Sequence, residues 1–317
     1  MSYFSGKRVV VTGGGGFIGS HLVQALKAEE CEPFVVRSRD YDLTRESEVA
    51  LLYEDTRPEI VFHVAGLVGG IRANKERPAE FFYQNLTMGT FLLHLGHRFG
   101  LKKFVAAGAG CGYPQDAPMP LKEPSFWDGP PQPESAPYSL AKRLLHIQSQ
   151  AYYQQYGFNS VITVPGNVYG PNDNFDLRAS HVVPALVRKF VDAAAGGGEQ
   201  VGVWGSGRPT RDFVYVEDVA RGMLLAAQRY EGAELVNISS GVETSIRELV
   251  EALVEVADFR GEIVWDDSQP EGQPVRCFDV SKAERDLGWR AETGLRQGLE
   301  KTVAWYQQNR ATARLAV

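Results

Sequence analysis

Tyr138 and Lys142 stand four residues apart, which puts both side chains on one face of a helix. An ammonium beside a phenol stabilises the phenolate and brings its pKa down from about 10 toward the working range. Such a phenol exchanges a proton with an alcohol or a ketone. Upstream lies a glycine turn, Thr12-Gly13-Gly14-Gly15-Gly16-Phe17-Ile18-Gly19, directly after one apolar run and before an amphipathic segment. Glycines there allow a tight turn, a close approach of pyrophosphate to the backbone, and packing of the helix on the sheet. The pair and the turn together point to hydride and proton transfer at a carbinol carbon, with a nicotinamide cofactor.

The cofactor contacts expected from the turn are Gly13, Gly16, Phe17, Ile18 and Gly19. The second apolar run ends in Val36-Arg37-Ser38-Arg39 instead of the acidic residue that would bind an adenosine ribose 2′-hydroxyl. Two guanidinium groups suit a 2′-phosphate, so NADP(H) is expected, with NAD(H) as the alternative. Asp42 and Leu43 are placed beside the adenine, and Ala65, Gly66 and Asn85 along the cofactor channel.

These residues need a scaffold. Strands are expected over 8–12, 33–36, 59–64, 103–107 and 160–164, and helices over 17–26, 81–96 and 137–156. That alternation is the mark of βαβ units. Ser135 is expected to cap the third helix, with Pro137 in its first turn. Residues 165–176 and 196–211 read as loops because they are rich in Gly, Pro and Asn. Helices are expected over 183–195, 216–228, 245–256, 279–287 and 295–309, and strands over 234–238 and 261–265. Residues 310–317 read as a frayed tail. The fold expected is α/β, a Rossmann-type doubly wound parallel sheet with a smaller C-terminal α/β domain. Residues 1–165 mainly bind NADP, and 166–317 mainly bind substrate, with some segments returning to the first sheet. The ligand belongs between them, at the carboxyl ends of the strands.

The 317 residues are 44% hydrophobic and carry a formal charge of −6, which argues against a nucleic-acid partner. A phosphorylated small substrate is still compatible, because a few local arginines suffice. There is no apolar run long enough to span a bilayer and no signal-peptide pattern in residues 1–7, so no membrane partner is expected. Cys31, Cys111 and Cys277 are too far apart for a disulfide framework or a metal site, and fit a reduced cytoplasmic setting.

Thr12–Gly19, Asn85–Thr90 and Tyr138-x-x-x-Lys142 together resemble the extended short-chain dehydrogenase/reductases of the epimerase/dehydratase type. Five further stretches, 63–71, 111–114, 167–175, 180–186 and 203–213, resemble within them the GDP-L-fucose synthase family. The resemblance runs from the first strand to about Asn309. It implies an NADPH-dependent 3,5-epimerase/4-reductase acting on GDP-4-keto-6-deoxy-D-mannose, and helices 81–96 and 137–156 that pair across a homodimer.

By matching motif, Tyr138 protonates the C4 oxygen, Lys142 tunes it and holds the nicotinamide ribose, and Cys111 and His181 are the base and acid of epimerisation. The chemistry agrees with two residues. A proton next to a ketone is acidic enough for a thiolate or imidazole, and inversion needs a donor on the opposite face. Ala107, Pro165, Asn167 and Val168 are further expected cofactor contacts. Ala109, Asn167, Asn174, His181, Val182, Arg188, Trp204, Arg211 and Arg276 are the expected substrate contacts, with Lys189 assisting. Trp204 is suited to stack on guanine, and the arginines to fork onto a diphosphate. No metal is expected.

The chain departs from that family at Ala109, where a Ser or Thr is usual two residues before the cysteine, and Gly110 replaces a polar neighbour. Gly66-Leu67 likewise replaces an Ala-Lys pair. Loss of a polarising hydroxyl costs roughly 10²–10³ in rate for an oxyanion donor. Ala and Gly leave room for a water or for a more oxygenated sugar. The alternatives are therefore a GDP-mannose or GDP-heptose epimerase or C4 dehydrogenase with retained NAD(P), and a non-catalytic nucleotide-sugar-binding protein.

Overall fold

The structure, a computed structural model, describes residues 2–269 and 272–313. β1 (Val9–Thr12) leads through the glycine turn into α1 (Phe17–Ala28), followed by β2 (Phe34–Val36), α2 (Glu46–Thr56) and β3 (Ile60–His63). A short α3 (Ile71–Glu76) and a long α4 (Pro78–Arg98) precede β4 (Lys103–Ala107), and α5 (Ala136–Tyr156) leads to β5 (Ser160–Pro165). Then come β6 (Asn167–Tyr169), α6 (Val182–Gly196), β7 (Gln200–Trp204), β8 (Thr210–Tyr215), α7 (Val216–Arg229) and β9 (Leu235–Ile238). β10 (Glu243–Ser245), α8 (Ile246–Val256), β11 (Glu262–Asp266), α9 (Ser281–Leu287) and α10 (Leu295–Asn309) complete the chain.

Six parallel strands form the main sheet in the order β2-β1-β3-β4-β5-β9. β1, β3, β4 and β5 are buried along their whole length, as strands covered on both faces must be. One face packs on α1 and α7 through Leu22, Leu26, Val219 and Met223. The other packs on α2, α4 and α5 through Leu52, Tyr53, Leu92 and Leu145. The strand order reverses at β1, with β2 on one side and β3 on the other, which opens a crevice at the carboxyl ends. A third core joins α6, α8 and α10 to β7 and β8 through Phe190, Leu249, Leu253 and Leu299.

Four local expectations change. The stretches 165–176 and 196–211 are not plain loops: they hold β6, β7 and the first residues of β8. These strands exist through distant pairing, β6 and β10 on either side of β8, and β7 against β11. A three-residue strand among Gly, Pro and Asn has no periodicity of its own to read. Ser135 occupies the N-cap position of α5 but accepts no backbone N–H; its Oγ instead accepts the Ser139 hydroxyl at 3.4 Å. Pro137 does sit in the first turn. α2 had no counterpart among the expected elements. The tail is anchored over its first part, since the Arg310 guanidinium meets Asp192 at 2.9 Å and Ala313 is buried in the third core. Residues 314–317 lie outside the described residues.

Two buried carboxylates tie distant segments to this frame. Asp218, in the first turn of α7, accepts the backbone N–H groups of Glu292 and Thr293 at 3.1 and 2.9 Å and an Arg221 guanidinium N–H at 2.9 Å. Burial alone raises its pKa, but these hydrogen bonds outweigh it and hold the carboxyl below its ordinary value. Asp212 is fully buried. It accepts from the Ser240 amide (2.9 Å) and hydroxyl (2.6 Å), the Gly241 amide (3.1 Å) and the Phe278 amide (3.2 Å).

Replacing Asp218 by Ala leaves those donors orphaned and is expected to cost about 3 kcal/mol in urea unfolding at pH 7. A carboxylate with a lowered folded pKa stabilises above its unfolded value of about 4 and loses that effect as pH falls through the folded value. The wild type should therefore lose stability faster than Asp218→Ala on acidification. Parallel pH profiles would refute this.

Candidate active site

The glycine turn is shaped by contact. Gly13 has φ +70°, and a Cβ on it would lie 2.7 Å from the Ala65 backbone at the end of β3. On Gly19 a Cβ would fall 2.1 Å from the Gly13 carbonyl oxygen. Thr12 Oγ1 and His63 Nδ1 meet at 2.8 Å and join the tips of β1 and β3. Burial, and then the charge of Lys142, push the His63 imidazole down to about 3, so it is neutral.

The residues present fit a dinucleotide. The Asn85 Nδ2 donates to the Leu67 and Phe81 carbonyls at 3.0 and 2.7 Å, while its buried Oδ1 has no hydrogen-bond partner among the described residues. That oxygen lies 2.9 Å, and Lys142 Nζ 3.8 Å, from where a Gly66 Cβ would stand. Gly66 thus keeps open a small space between a buried acceptor and an ammonium, suited to ribose hydroxyls. Arg37 is exposed with Nη1 3.5 Å from a Cβ on Gly15, which puts its charge over the glycine turn. Arg39 pairs with Asp40 at 3.5 Å, and Asp42 accepts from the Thr44 amide and hydroxyl and meets Arg45 at 3.2 Å. Leu43 is buried. Phe17, Ile18 and Gly16 lie half-buried at the start of α1, and Ala107 and Pro165 end β4 and β5. Asn167 and Val168 open β6.

Tyr138 and Lys142 share a face of α5, with Nζ 6.0 Å from the phenol ring centre. Lys142 is buried and donates to the Ala107 carbonyl at 3.0 Å. Burial, and then the charge of Cys111, push the Tyr138 phenol up from its ordinary value, not down. Burial likewise lowers Lys142 to about 8. The expected phenolate is therefore corrected: desolvation outweighs one ammonium about 6 Å away. The phenol rests protonated, which suits a donor to a ketone oxygen.

Cys111 occupies a 3₁₀ turn, Gly110–Gly112, just past β4. Tyr138, Lys142, Arg143 and Arg276 lie within electrostatic reach of it, which places these groups around it. Ala109 is buried in front of the turn. The room expected at Gly110 is not free, because a Cβ there would lie 2.8 Å from Cζ of Phe278. His181 is the N-cap residue of α6. The residue as a whole is exposed, yet the protein packed around the imidazole pushes it below its ordinary value, as for a ring in a crevice. Half-buried Val182 follows it as the first residue of α6.

Burial, and then Arg276, lower the Arg211 pKa, so two guanidinium groups crowd one another. Like charges held that close suit an anionic ligand. Arg211 Nη1 donates to the Thr210 and Gln273 carbonyls, and Arg276 donates to Gln273 Oε1 and the Gly110 carbonyl. Asn174 Oδ1 accepts the Asp176 amide, and Arg188 donates to the Phe175 carbonyl and meets Asp192 at 3.6 Å, so both brace the 172–178 loop. Trp204 is 63% exposed beside Lys189, whose Nζ lies 6.0 Å from the ring centre. With Gln200, Gly202 and Asp266 they line a cavity of about 330 Å³, the lower end of the range for small ligands.

Arg143 and Asp212 were absent from the expected site. The signal for Arg143 lies in α5 itself. Ser139, Lys142, Arg143, His146 and Ser149 recur at helical spacing and are buried, while Leu140, Leu144 and Ile147 are exposed. A helix with its polar stripe inward marks a polar site on that side.

The model of the NAD dependent epimerase/dehydratase family matches residues 9–239. A GDP-L-fucose synthase of Sinorhizobium fredii is 40% identical over 309 residues, covering 98% of each chain. A GDP-L-fucose synthetase from Naegleria fowleri, solved with NADP bound, is 28% identical with a TM-score of 0.88, covering 99% of this chain and 98% of that one. A GDP-6-OMe-4-keto-L-xylo-heptose reductase from C. jejuni is 27% identical with a TM-score of 0.88, covering 96% and 98%.

Gly66→Ala puts a methyl group into the space between Asn85 Oδ1 and Lys142 Nζ. Its dissociation constant for NADPH, read by fluorescence titration, is expected to rise about tenfold, or ~1.4 kcal/mol. Unchanged affinity would remove Gly66 from the cofactor site.

Proposed function

The chain belongs to the NAD dependent epimerase/dehydratase family, and from that premise we propose that it converts GDP-4-keto-6-deoxy-D-mannose to GDP-L-fucose. It is an NADP-dependent epimerase/reductase acting on a GDP-sugar. The observation that carries the reading is Cys111 gathered with Tyr138 and Lys142 at the carboxyl end of β4. NADPH, when bound, supplies the hydride for the C4 ketone; Gly13, Gly16, Gly66, Asn85 and Lys142 hold it, and Arg37 meets its 2′-phosphate.

At each carbon beside the ketone in turn, Cys111 takes the proton and His181 gives one back from the opposite face. Tyr138 gives its proton to the C4 oxygen as negative charge builds there. Lys142 favours the negative oxygen left on Tyr138. Arg211 and Arg276 take the diphosphate, and Trp204 with Lys189 flanks the base. Asn174 and Arg188 act by holding the loop in front of His181. Ala109 offers no hydroxyl, so Tyr138 carries the polarisation of the ketone alone. Ala109, with the likeness to the heptose reductase, favours one second reading: a GDP-4-ketoheptose as the reduced sugar.

Leu140, Leu144 and Ile147 on α5 are exposed, as is Tyr83 on the packed neighbour α4. We infer that this face pairs with its copy in a homodimer. No described helix is long and apolar enough to cross a membrane. The free thiol of Cys111 suits the reducing cytoplasm.

Purified protein given GDP-4-keto-6-deoxy-D-mannose should consume NADPH in equimolar amount, followed by nicotinamide absorbance. No consumption with that sugar, but turnover of a GDP-4-ketoheptose, would favour the second reading. Tyr138→Phe should lower kcat by at least about 10³, the scale of a lost acid with its polarising contact. Cys111→Ser should stop deuterium entry from solvent at C3 and C5. Lys142 is charged below about 8 and neutral above it. The rate at low substrate should therefore fall as pH rises through that value; a flat profile from 7 to 9 would exclude a charged Lys142 from the step.

A further inference from the structure

Cys111 is bracketed by two glycine carbonyls, and each accepts from a guanidinium group. The Gly110 carbonyl accepts from Arg276 Nη2, and the Gly112 carbonyl from Arg143 Nε at 2.5 Å. The two arginines come from distant parts of the chain, one from α5 and one from the segment after β11. Arg143 is only 4% exposed. Its Nη1 also donates to the Gly129 carbonyl at 2.9 Å, and its plane lies over Phe126 and Trp127 at 5.4 and 5.3 Å. Its Nη2 is buried with no hydrogen-bond partner among the described residues. A buried guanidinium so incompletely satisfied is costly unless negative charge lies nearby.

From this geometry we infer that Arg143 is a positioning residue for Cys111: it holds the 110–112 turn in place and sets a permanent positive charge beside the sulfur that removes the sugar proton. The inference rests on the assignment of Cys111 as base made above. The titratable groups facing Cys111 are Tyr138, Lys142 and Arg143 from α5 and Arg276 from the later segment. On its own segment Tyr113 turns its hydroxyl to Asn237 Oδ1 at 2.8 Å. Three of the four facing groups are cations, and a negative Cys111 favours the charged form of each. A fixed cation attracts negative charge that develops near it, whichever atom carries that charge. Lys142 loses its proton near pH 8, whereas an arginine keeps its charge throughout. Arg143, together with Arg276, therefore keeps the sulfur's surroundings positive on the alkaline side, where Lys142 no longer does.

The test separates the charge from the hydrogen bond. Arg143→Gln keeps donors for the Gly112 carbonyl and removes the charge; Arg143→Lys keeps the charge and loses the fork. Cys31 and Cys277 are buried, so iodoacetamide reports chiefly on Cys111. At pH 7 the alkylation rate should fall about tenfold in Arg143→Gln and by less in Arg143→Lys. Deuterium entry at C3 and C5 of GDP-4-keto-6-deoxy-D-mannose should fall in the same order, with NADPH affinity within twofold of wild type. An alkylation rate in folded Arg143→Gln within twofold of wild type would overturn the inference. Wild-type protein that alkylates normally but exchanges no deuterium would instead overturn the functional reading, and the alkylation series would still decide the role of Arg143.

Discussion

Two buried cations on the inner face of α5 organise the candidate active site. Lys142 and Arg143 are each about 5% exposed or less, and a charge so far from water is tolerable only with partners. The partners are main-chain carbonyls: Ala107 for Lys142, Gly112 and Gly129 for Arg143. The Ala107 and Gly112 carbonyls flank the segment that leaves β4 and carries Ala109 and Cys111. The charges that would serve the chemistry are thus the same ones that shape the backbone of the site. Moving either cation would expose an unpaired donor or acceptor and distort the turn together.

The far wall depends on Asp212. This carboxylate gathers the amides of Ser240, Gly241 and Phe278, which join β8 to the loop after β9 and to the segment after β11. Its neighbours on either side of that junction, Arg211 and Arg276, are the paired guanidinium groups read as the diphosphate site. Phe278 in turn fills the space over Gly110. Electrostatics inside the core and packing at the cysteine turn are therefore linked through one acidic residue.

The parts legible in the sequence were those set by local geometry. The glycine turn shows itself because its strand, turn and helix are contiguous. Tyr138 and Lys142 show themselves because helical spacing alone puts them side by side. β7 hides because its partner β11 lies far along the chain; β6 hides because it has three residues, and β8 because its partners β6 and β10 lie in separate stretches of the chain. Arg143 hides because nothing in Lys142-Arg143 tells which of two adjacent cations meets distant carbonyls. The tail past Asn309 looked unpartnered because its partner, Asp192, belongs to α6.

By itself the sequence determined the order of the five strands in the N-terminal half, the glycine turn, the tyrosine and lysine pair, and the cysteine and histidine that mark the resemblance. Only the tertiary structure decided the protonation of Tyr138, the closure of the space at Gly110, and the clamp of Arg143 and Arg276 on the cysteine turn. Spacing and periodicity are properties of neighbours along the chain, so they can be read from it. A charge's proton affinity and a glycine's need for room depend on solvent exclusion and on atoms brought near from distant segments, and those exist only once the chain has folded.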